Sequence, residues 1–300
     1  MFRKKGIVNL LKPPGISSFG AIGRLKKLID HPKAGHTGTL DPRACGVLPV
    51  CFGKATKVIP YLPEGDKEYI AEITLGKVTN TLDAEGDILS ENSSWKDLTI
   101  TDIKKSLNKF IGNIDQIPPM FSAVKQDGKR LYKLARKGKN VKRKTRSISI
   151  ENIDVLAINL PRFRIKIRCS RGTYIRSLAR DIGEDLGCGA YLSFLIRSKS
   201  GPFLLKDAVS YKMIEKQINE DKDDFIYSLD WPLDYPGFNL KKFAYKKAIN
   251  GTKLYFSDFK EDEKLIKNNE IILVYSDSGE FISINEVREK KLKPLRVFSE

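Results

Sequence analysis

Strand and helix patterns are interspersed along this sequence, which predicts an α/β (α+β) protein, and three observations carry that expectation. Residues 67–76 and 162–169 alternate apolar and polar positions with the period of two that a half-buried strand requires. Residues 19–29, 99–110 and 175–186 instead carry apolar side chains at helical spacing. A proline-punctuated stretch at 229–238, LDWPLDYPGF, reads as a linker before a strand-rich tail of about 60 residues. At 300 residues the chain suits about two domains, placed at 1–234 and 235–300.

Bulk composition narrows the function classes. With 41 % hydrophobic and 30 % charged residues the chain reads as soluble and globular, and no apolar run reaches the roughly 18 residues of a membrane span. The start, MFRKK followed by IVNLL, is interrupted by Lys12-Pro13-Pro14 and fails as a signal peptide, so a cytoplasmic location is expected. Cysteines at 45, 51, 169 and 188 lack metal-finger spacing, and His31 and His36 are the only histidines; no metal is expected. The net charge of +17 is lopsided: residues 1–200 hold 37 Lys and Arg against 19 Asp and Glu, residues 201–300 hold 17 against 18. Such a surplus calls for a polyanion, and nucleic acid is the first choice. An anionic membrane surface is the rival, without a basic amphipathic anchor to support it.

Taken in order, residues 7–12 (IVNLLK) read as a short strand that Pro13-Pro14-Gly15 breaks into a turn. Ser17 or Ser18 can cap the following helix, whose Phe19, Ile22, Leu25 and Ile29 fall near one face. Residues 33–57, KAGHTGTLDPRACGVLPVCFGKATK, are too rich in Gly and Pro for a helix, and Pro42 pushes Asp41 out of helical geometry. On spacing alone, Asp41-Pro42 is either an ordinary surface turn or a carboxylate held on a shaped loop. In the 67–76 strand Tyr69, Ala71, Ile73 and Leu75 share one side, which makes Tyr69 a core residue by default. TNTLDAEG at 79–86 is a polar turn.

Ile103, Leu107 and Phe110 mark one face of the 99–110 helix. Residues 129–146 then carry ten Lys or Arg and no acid, with Leu131, Leu134 and Ala135 spaced to dock one helical face while the cations point outward. Strands at 148–158 and 162–169 follow; in the second, Arg162, Arg164, Lys166 and Arg168 share a face that is either an RNA surface or simply solvated. Ile175, Leu178, Ile182 and Leu186 define a helix that Thr173 can cap and Gly187 ends. Arg176 thus sits in the first turn, where the helix dipole disfavours a cation, with Arg180 adding like-charge repulsion. It either reaches solvent or needs an anion.

Read whole, GHTGTLDPxAxGVLPVxxGxATK resembles the catalytic signature of the TruB family of tRNA pseudouridine synthases. KPPGISS resembles the family's KPxGxxS motif, QIPPMFSAVKQDGKRLYKLARKG a further long family segment, and RGTYIR its GTYIR motif, so four separated matches occur in family order. The resemblance implies a catalytic domain with a mixed, mostly antiparallel sheet and flanking helices, followed by a small β-rich PUA-like RNA-binding domain. It implies Asp41 as catalytic carboxylate, Arg176 as its partner and Tyr69 as the ring that stacks on the target base. His36, Tyr174, Leu195, Lys12 and Arg197 are implied at the substrate. A basic insertion, about 118–147, is implied to grip the T arm of tRNA through Lys129, Arg130, Arg136, Lys142 and Arg143. Asn80 stands where the family's TDTxDAEG stretch has Asp, keeping hydrogen bonding but losing charge.

The implied activity is isomerisation of uridine 55 in the T loop, by base flipping and aspartate-dependent exchange of the glycosidic bond, with no cofactor, metal or obligate protein partner. Two other readings are a dyskerin-like synthase directed by a guide RNA and an RNA chaperone that folds tRNA without chemistry. The compact length and the basic insertion favour the stand-alone synthase.

Overall fold

The computed structural model describes residues 5–63, 65–126, 128–139, 141–261, 267–289 and 291–298. Its larger sheet runs, edge to edge, through Ile226–Tyr227, Gly6–Lys12, Cys45–Phe52, Ala190–Ser200, Lys67–Leu75, Arg162–Cys169, Arg146–Asn159 and Gly112–Gln116, with Ala34–His36 and Phe203–Leu204 paired beside this path. Pairing is antiparallel except where Ile196 and Arg197 run parallel to Cys45 and Gly46, so the sheet is mixed and mostly antiparallel. Alternation does what it predicts: Tyr69, Ala71, Ile73 and Leu75 are buried, as are Phe163, Ile165, Ile167 and Cys169 on the neighbouring strand.

Helices cover the sheet. Ser17 caps Ser18–Leu28 by accepting from Gly20 N at 3.0 Å. The buried stripe of this helix starts one residue earlier than its apolar spacing suggests: Ser18, Ala21, Ile22 and Leu25 are buried, whereas Phe19 is 81 % exposed. Ser18 causes the shift, since its Oγ donates to Leu40 O at 2.9 Å and accepts from Leu40 N at 2.8 Å, turning that face inward. Ile100–Asn108 buries Ile103 and Leu107 behind a Thr99–Asp102 capping box. Ile175–Asp185 ends before Gly187 in the left-handed region (φ 71°). Thr173 does not cap it; its hydroxyl donates to Ser170 O, and the Gln116 amide holds the helix start instead, donating to Tyr174 O at 3.1 Å and accepting from Tyr174 N at 2.8 Å.

A second sheet of Gly237–Asn239, Ile271–Tyr275, Phe281–Arg288, Lys291–Val297 and Leu254–Tyr255 closes the chain. Its Leu273, Ile284 and Phe298 share a buried cluster with Ile7, Val47, Cys51, Phe203, Leu229 and Leu233 of the larger body. The 229–238 stretch is therefore not a free linker: Trp231 lies 4.4 Å from Tyr227 between ring centroids, and Asp230 accepts from the Tyr275 hydroxyl at 3.1 Å. Buried Leu229 and Leu233 outweigh the extended bias of its Pro pairs.

Arg164, Lys166 and Arg168 are ion-paired to Glu72, Glu68 and Glu151 at 2.8, 3.0 and 2.9 Å. That sheet face is solvated, and these three cations are each paired with a carboxylate on it.

Gly46 has φ 103°, and a Cβ there would overlap the Arg197 carbonyl oxygen. Gly46→Ala is therefore expected to destabilise by about 2 kcal/mol or more, read from the urea midpoint, because strain and overpacking act together. An unchanged midpoint would contradict the close approach of these two strands.

Candidate active site

The loop 37–44 leaves one edge of the sheet and is held from beneath by two buried cations. Lys12 Nζ donates to the carbonyls of Pro13, Pro42 and Ala44 at 3.0, 3.0 and 2.7 Å. Arg197 Nε donates to Val47 O at 2.8 Å and its Nη2 to Gly38 O at 3.1 Å. Gly15 N also donates to Pro42 O, at 2.9 Å, and Ala44 N closes the turn on Asp41 O at 3.1 Å. With Leu40 tied to Ser18, Asp41 is bracketed by fixed backbone on both sides. Burial lowers the Lys12 pKa to about 8, with Cys45 and Asp41 opposing the fall.

Above the loop, Arg176 reaches Asp41 from the first turn of its helix. Nη2 donates to Asp41 Oδ1 at 3.0 Å, and Nε lies 2.9 Å from Asp41 Oδ2. The same guanidinium donates to Thr81 O and Phe121 O at 3.1 and 2.9 Å and lies 3.2 Å from Asp83 Oδ2. Its side chain is 5 % exposed while that of Asp41 is 38 % exposed, so the cation is spent and the carboxylate keeps an open side. Burial pushes the Asp41 pKa above the ordinary carboxylate value; Arg176 opposes this and Asp83 adds to it. Arg180 does not crowd Arg176, because Asp181 accepts from its Nη2 at 2.6 Å.

A cleft of about 580 Å³ opens over this pair, lined among others by Pro14, Arg43, Asp83, Glu85, Phe194 and Leu195. That volume accommodates a nucleoside. Of the residues expected at the substrate, Asp41, Arg176 and Leu195 line the cleft. Lys12 and Arg197 do not; both are buried and donate to backbone carbonyls beneath the loop. Tyr69 is buried opposite Arg197 across the strand pair, and burial raises its phenol pKa. His36 is half-buried; its Nδ1 accepts from Gly38 N at 3.1 Å, which requires the neutral ring protonated at Nε2, and burial together with Arg197 lowers its pKa accordingly. Tyr174 is half-buried near Ser122.

Within the basic insertion Lys129, Arg130, Arg136 and Lys142 are exposed around the short helix Leu131–Ala135, docked through buried Leu131. Arg143 departs from the expected outward aim, since its Nη1 donates to Pro118 O at 3.0 Å within the insertion's own base. Asn80 is exposed, and its side chain pairs with Asp87. Asp83 is the site residue that motif reading passed over; its place in DAEG, beside the turn that feeds Thr81 O to Arg176, is the available signal. Among the described residues no group of three His, Cys, Asp or Glu is arranged to hold a metal, and no helix is long and apolar enough to cross a membrane.

Removing one partner at a time tests these assignments. Asp83→Asn should lower the Asp41 pKa and Arg176→Gln should raise it, followed by carboxyl carbon chemical shifts during a pH titration. Lys12→Met should cost about 2–4 kcal/mol in denaturant unfolding, because the buried Ala44 carbonyl and the part-buried Pro13 carbonyl lose this donor and Pro42 O keeps only Gly15 N.

Comparison with known proteins agrees with this architecture. The model of the TruB family pseudouridylate synthase N-terminal domain matches residues 26–175, and that of the tRNA pseudouridylate synthase B C-terminal domain matches 176–235. The tRNA pseudouridine synthase B of Alkaliphilus oremlandii is 40 % identical, covering 98 % of this chain and 99 % of its own. That of Francisella philomiragia is 43 % identical over 93 % of each chain. A chain in the crystal structure of a Cbf5-Nop10-Gar1 complex superposes with a TM-score of 0.72 at 27 % identity, covering 99 % of this chain and 84 % of that one.

Proposed function

Because the chain belongs to the TruB family of pseudouridylate synthases, we propose that it converts uridine 55 in the T loop of tRNA to pseudouridine, acting in the cytoplasm without an obligate protein partner. The observation that carries this reading is an Asp41 carboxylate held by Arg176 yet open on one side to a nucleoside-sized cleft. The reaction breaks the N1–C1′ bond, turns the uracil and joins C5 to C1′, and the proton leaving C5 balances the one gained at N1. Asp41 supplies negative charge beside the ribose and base, as nucleophile or as stabiliser of developing positive charge.

The remaining residues take supporting roles. A stacked uridine is beyond reach of the cleft, so the base is extruded at a cost of about a few kcal/mol. His36, neutral and with Nε2–H free to donate, is suited to the space the base vacates; Tyr69 is assigned to stack on the base, with Leu195 and Tyr174 packing beside it. Tyr69 is buried without RNA, so this assignment requires the ring to be uncovered as substrate binds. Lys12 and Arg197 act through the loop they hold. Lys129, Arg130, Arg136 and Lys142 are assigned to T-arm phosphates, giving affinity that weakens with salt without reading sequence. We assign the chemistry to residues 1–234 and further RNA contact to the PUA-like residues 235–300.

Incubating purified protein with a T-arm stem-loop and mapping pseudouridine tests the activity; modification at the position equivalent to 55 without guide RNA is expected, and its absence refutes the reading. Asp41→Asn should slow turnover by on the order of 10³-fold or more while leaving RNA binding in place. Reversing Lys129, Arg130, Arg136 and Lys142 together should weaken binding and flatten its salt dependence, measured by filter binding across a salt series.

A further inference from the structure

Arg43 is the one cleft-lining cation among the described residues whose head group is not committed. It follows Asp41-Pro42 directly, and its backbone neighbours are pinned: Pro42 O accepts from Lys12 Nζ and Gly15 N, and Ala44 O accepts from Lys12 Nζ. The side chain is free by contrast. It is 62 % exposed and faces Glu85, itself 39 % exposed, at 3.7 Å, too long for a hydrogen bond. An ion pair this open is worth little and exchanges readily.

The charges around the cleft give that free head group a purpose. Asp41, Asp83 and Glu85 present three carboxylates, while the Arg176 guanidinium is shared among Asp41, Asp83, Thr81 O and Phe121 O. A nucleotide cannot enter without bringing phosphate, and the buried cations around the cleft, Arg176, Lys12 and Arg197, already direct their donors to acceptors of the protein. Arg43 supplies the missing counter-charge at the rim, and a guanidinium fork matches phosphate oxygens two at a time. Position 43 is an open position of the signature GHTGTLDPxAxGVLPVxxGxATK, so the motif resemblance itself assigns Arg43 no role.

We propose that Arg43 receives a backbone phosphate of the nucleotide extruded into the cleft, leaving Glu85 as it does so, and that Glu85 holds it in waiting when RNA is absent. The inference rests on the synthase reading above. It makes Arg43 a substrate-binding residue, and Glu85 a positioning residue acting through it.

The test is steady-state pseudouridine formation on a T-arm stem-loop, at several salt concentrations, for wild type, Arg43→Gln, Arg43→Lys, Glu85→Gln and the Arg43→Gln/Glu85→Gln double variant. Arg43→Gln should raise KM about fivefold to tenfold, with a smaller effect on kcat, and should reduce the slope of log KM against log salt by about one. Arg43→Lys should recover the slope and part of KM, since it keeps the charge but not the fork. Glu85→Gln should lower KM in the wild-type background and much less in the Arg43→Gln background. If wild type forms no pseudouridine, the synthase reading itself fails. If wild type is active and Arg43→Gln keeps the wild-type KM and salt slope, or Glu85→Gln acts equally in both backgrounds, the inference about Arg43 is overturned while the synthase reading stands.

Discussion

A buried guanidinium organises this protein. Taking Arg176 out of water is costly, and the cost is offset only if its donors find anions and carbonyls in good geometry. Those partners come from separate parts of the chain: Asp41 from the Gly- and Pro-rich loop, Thr81 and Asp83 from the polar turn, Phe121 from the base of the basic insertion. Loop, turn and insertion are thereby fixed relative to one helix start. Its position in the first helical turn adds a smaller dipole cost that the same acceptors offset.

Lys12 and Arg197 solve a different problem. A loop without regular structure leaves backbone carbonyls unpaired, and buried carbonyls need donors. The two cations provide them from below, while Arg176 acts from above. The Asp41 carboxylate is therefore directed from two sides, with one face left for a reacting group. Such preorganisation keeps reorientation out of the chemical step. It also concentrates negative charge at the cleft, which is where the uncommitted Arg43 matters.

Much of this was legible in the residues, and the misses have physical causes. Period-two alternation located the strands carrying Tyr69 and Phe163, because each residue in a strand faces opposite to its neighbour. The Asp41–Arg176 contact was implied by the family resemblance of two motifs 135 positions apart, the residues alone leaving open whether either side chain had a partner. What escaped depends on pairing register or on contacts distant in sequence. Glu68, Glu72 and Glu151 neutralise the Arg164–Arg168 face only because adjacent strands align them, which local pattern does not reveal. Phe19 was assigned inward because the Ser18–Leu40 bonds that set the helix rotation are tertiary. Lys12 and Arg197 stand in motifs near the site, yet motif position says nothing about which way a long side chain points.

The shared cluster between the two sheets has a consequence for how the molecule is made. Ile7 and Val47 are covered by Leu273, Ile284 and Phe298, and Lys5 Nζ donates to Phe298 O at 2.8 Å across 293 positions. A ribosome adding about 5–20 residues per second releases the Gly6–Lys12 strand long before the part of its cover that the second sheet supplies. Cys51, Ala55, Val58, Phe203, Leu229 and Leu233 cover part of the apolar back of the Gly6–Lys12 strand sooner, whereas Leu273, Ile284 and Phe298 follow it by on the order of 15–60 seconds. The second sheet thus completes the cover of a strand made long before it.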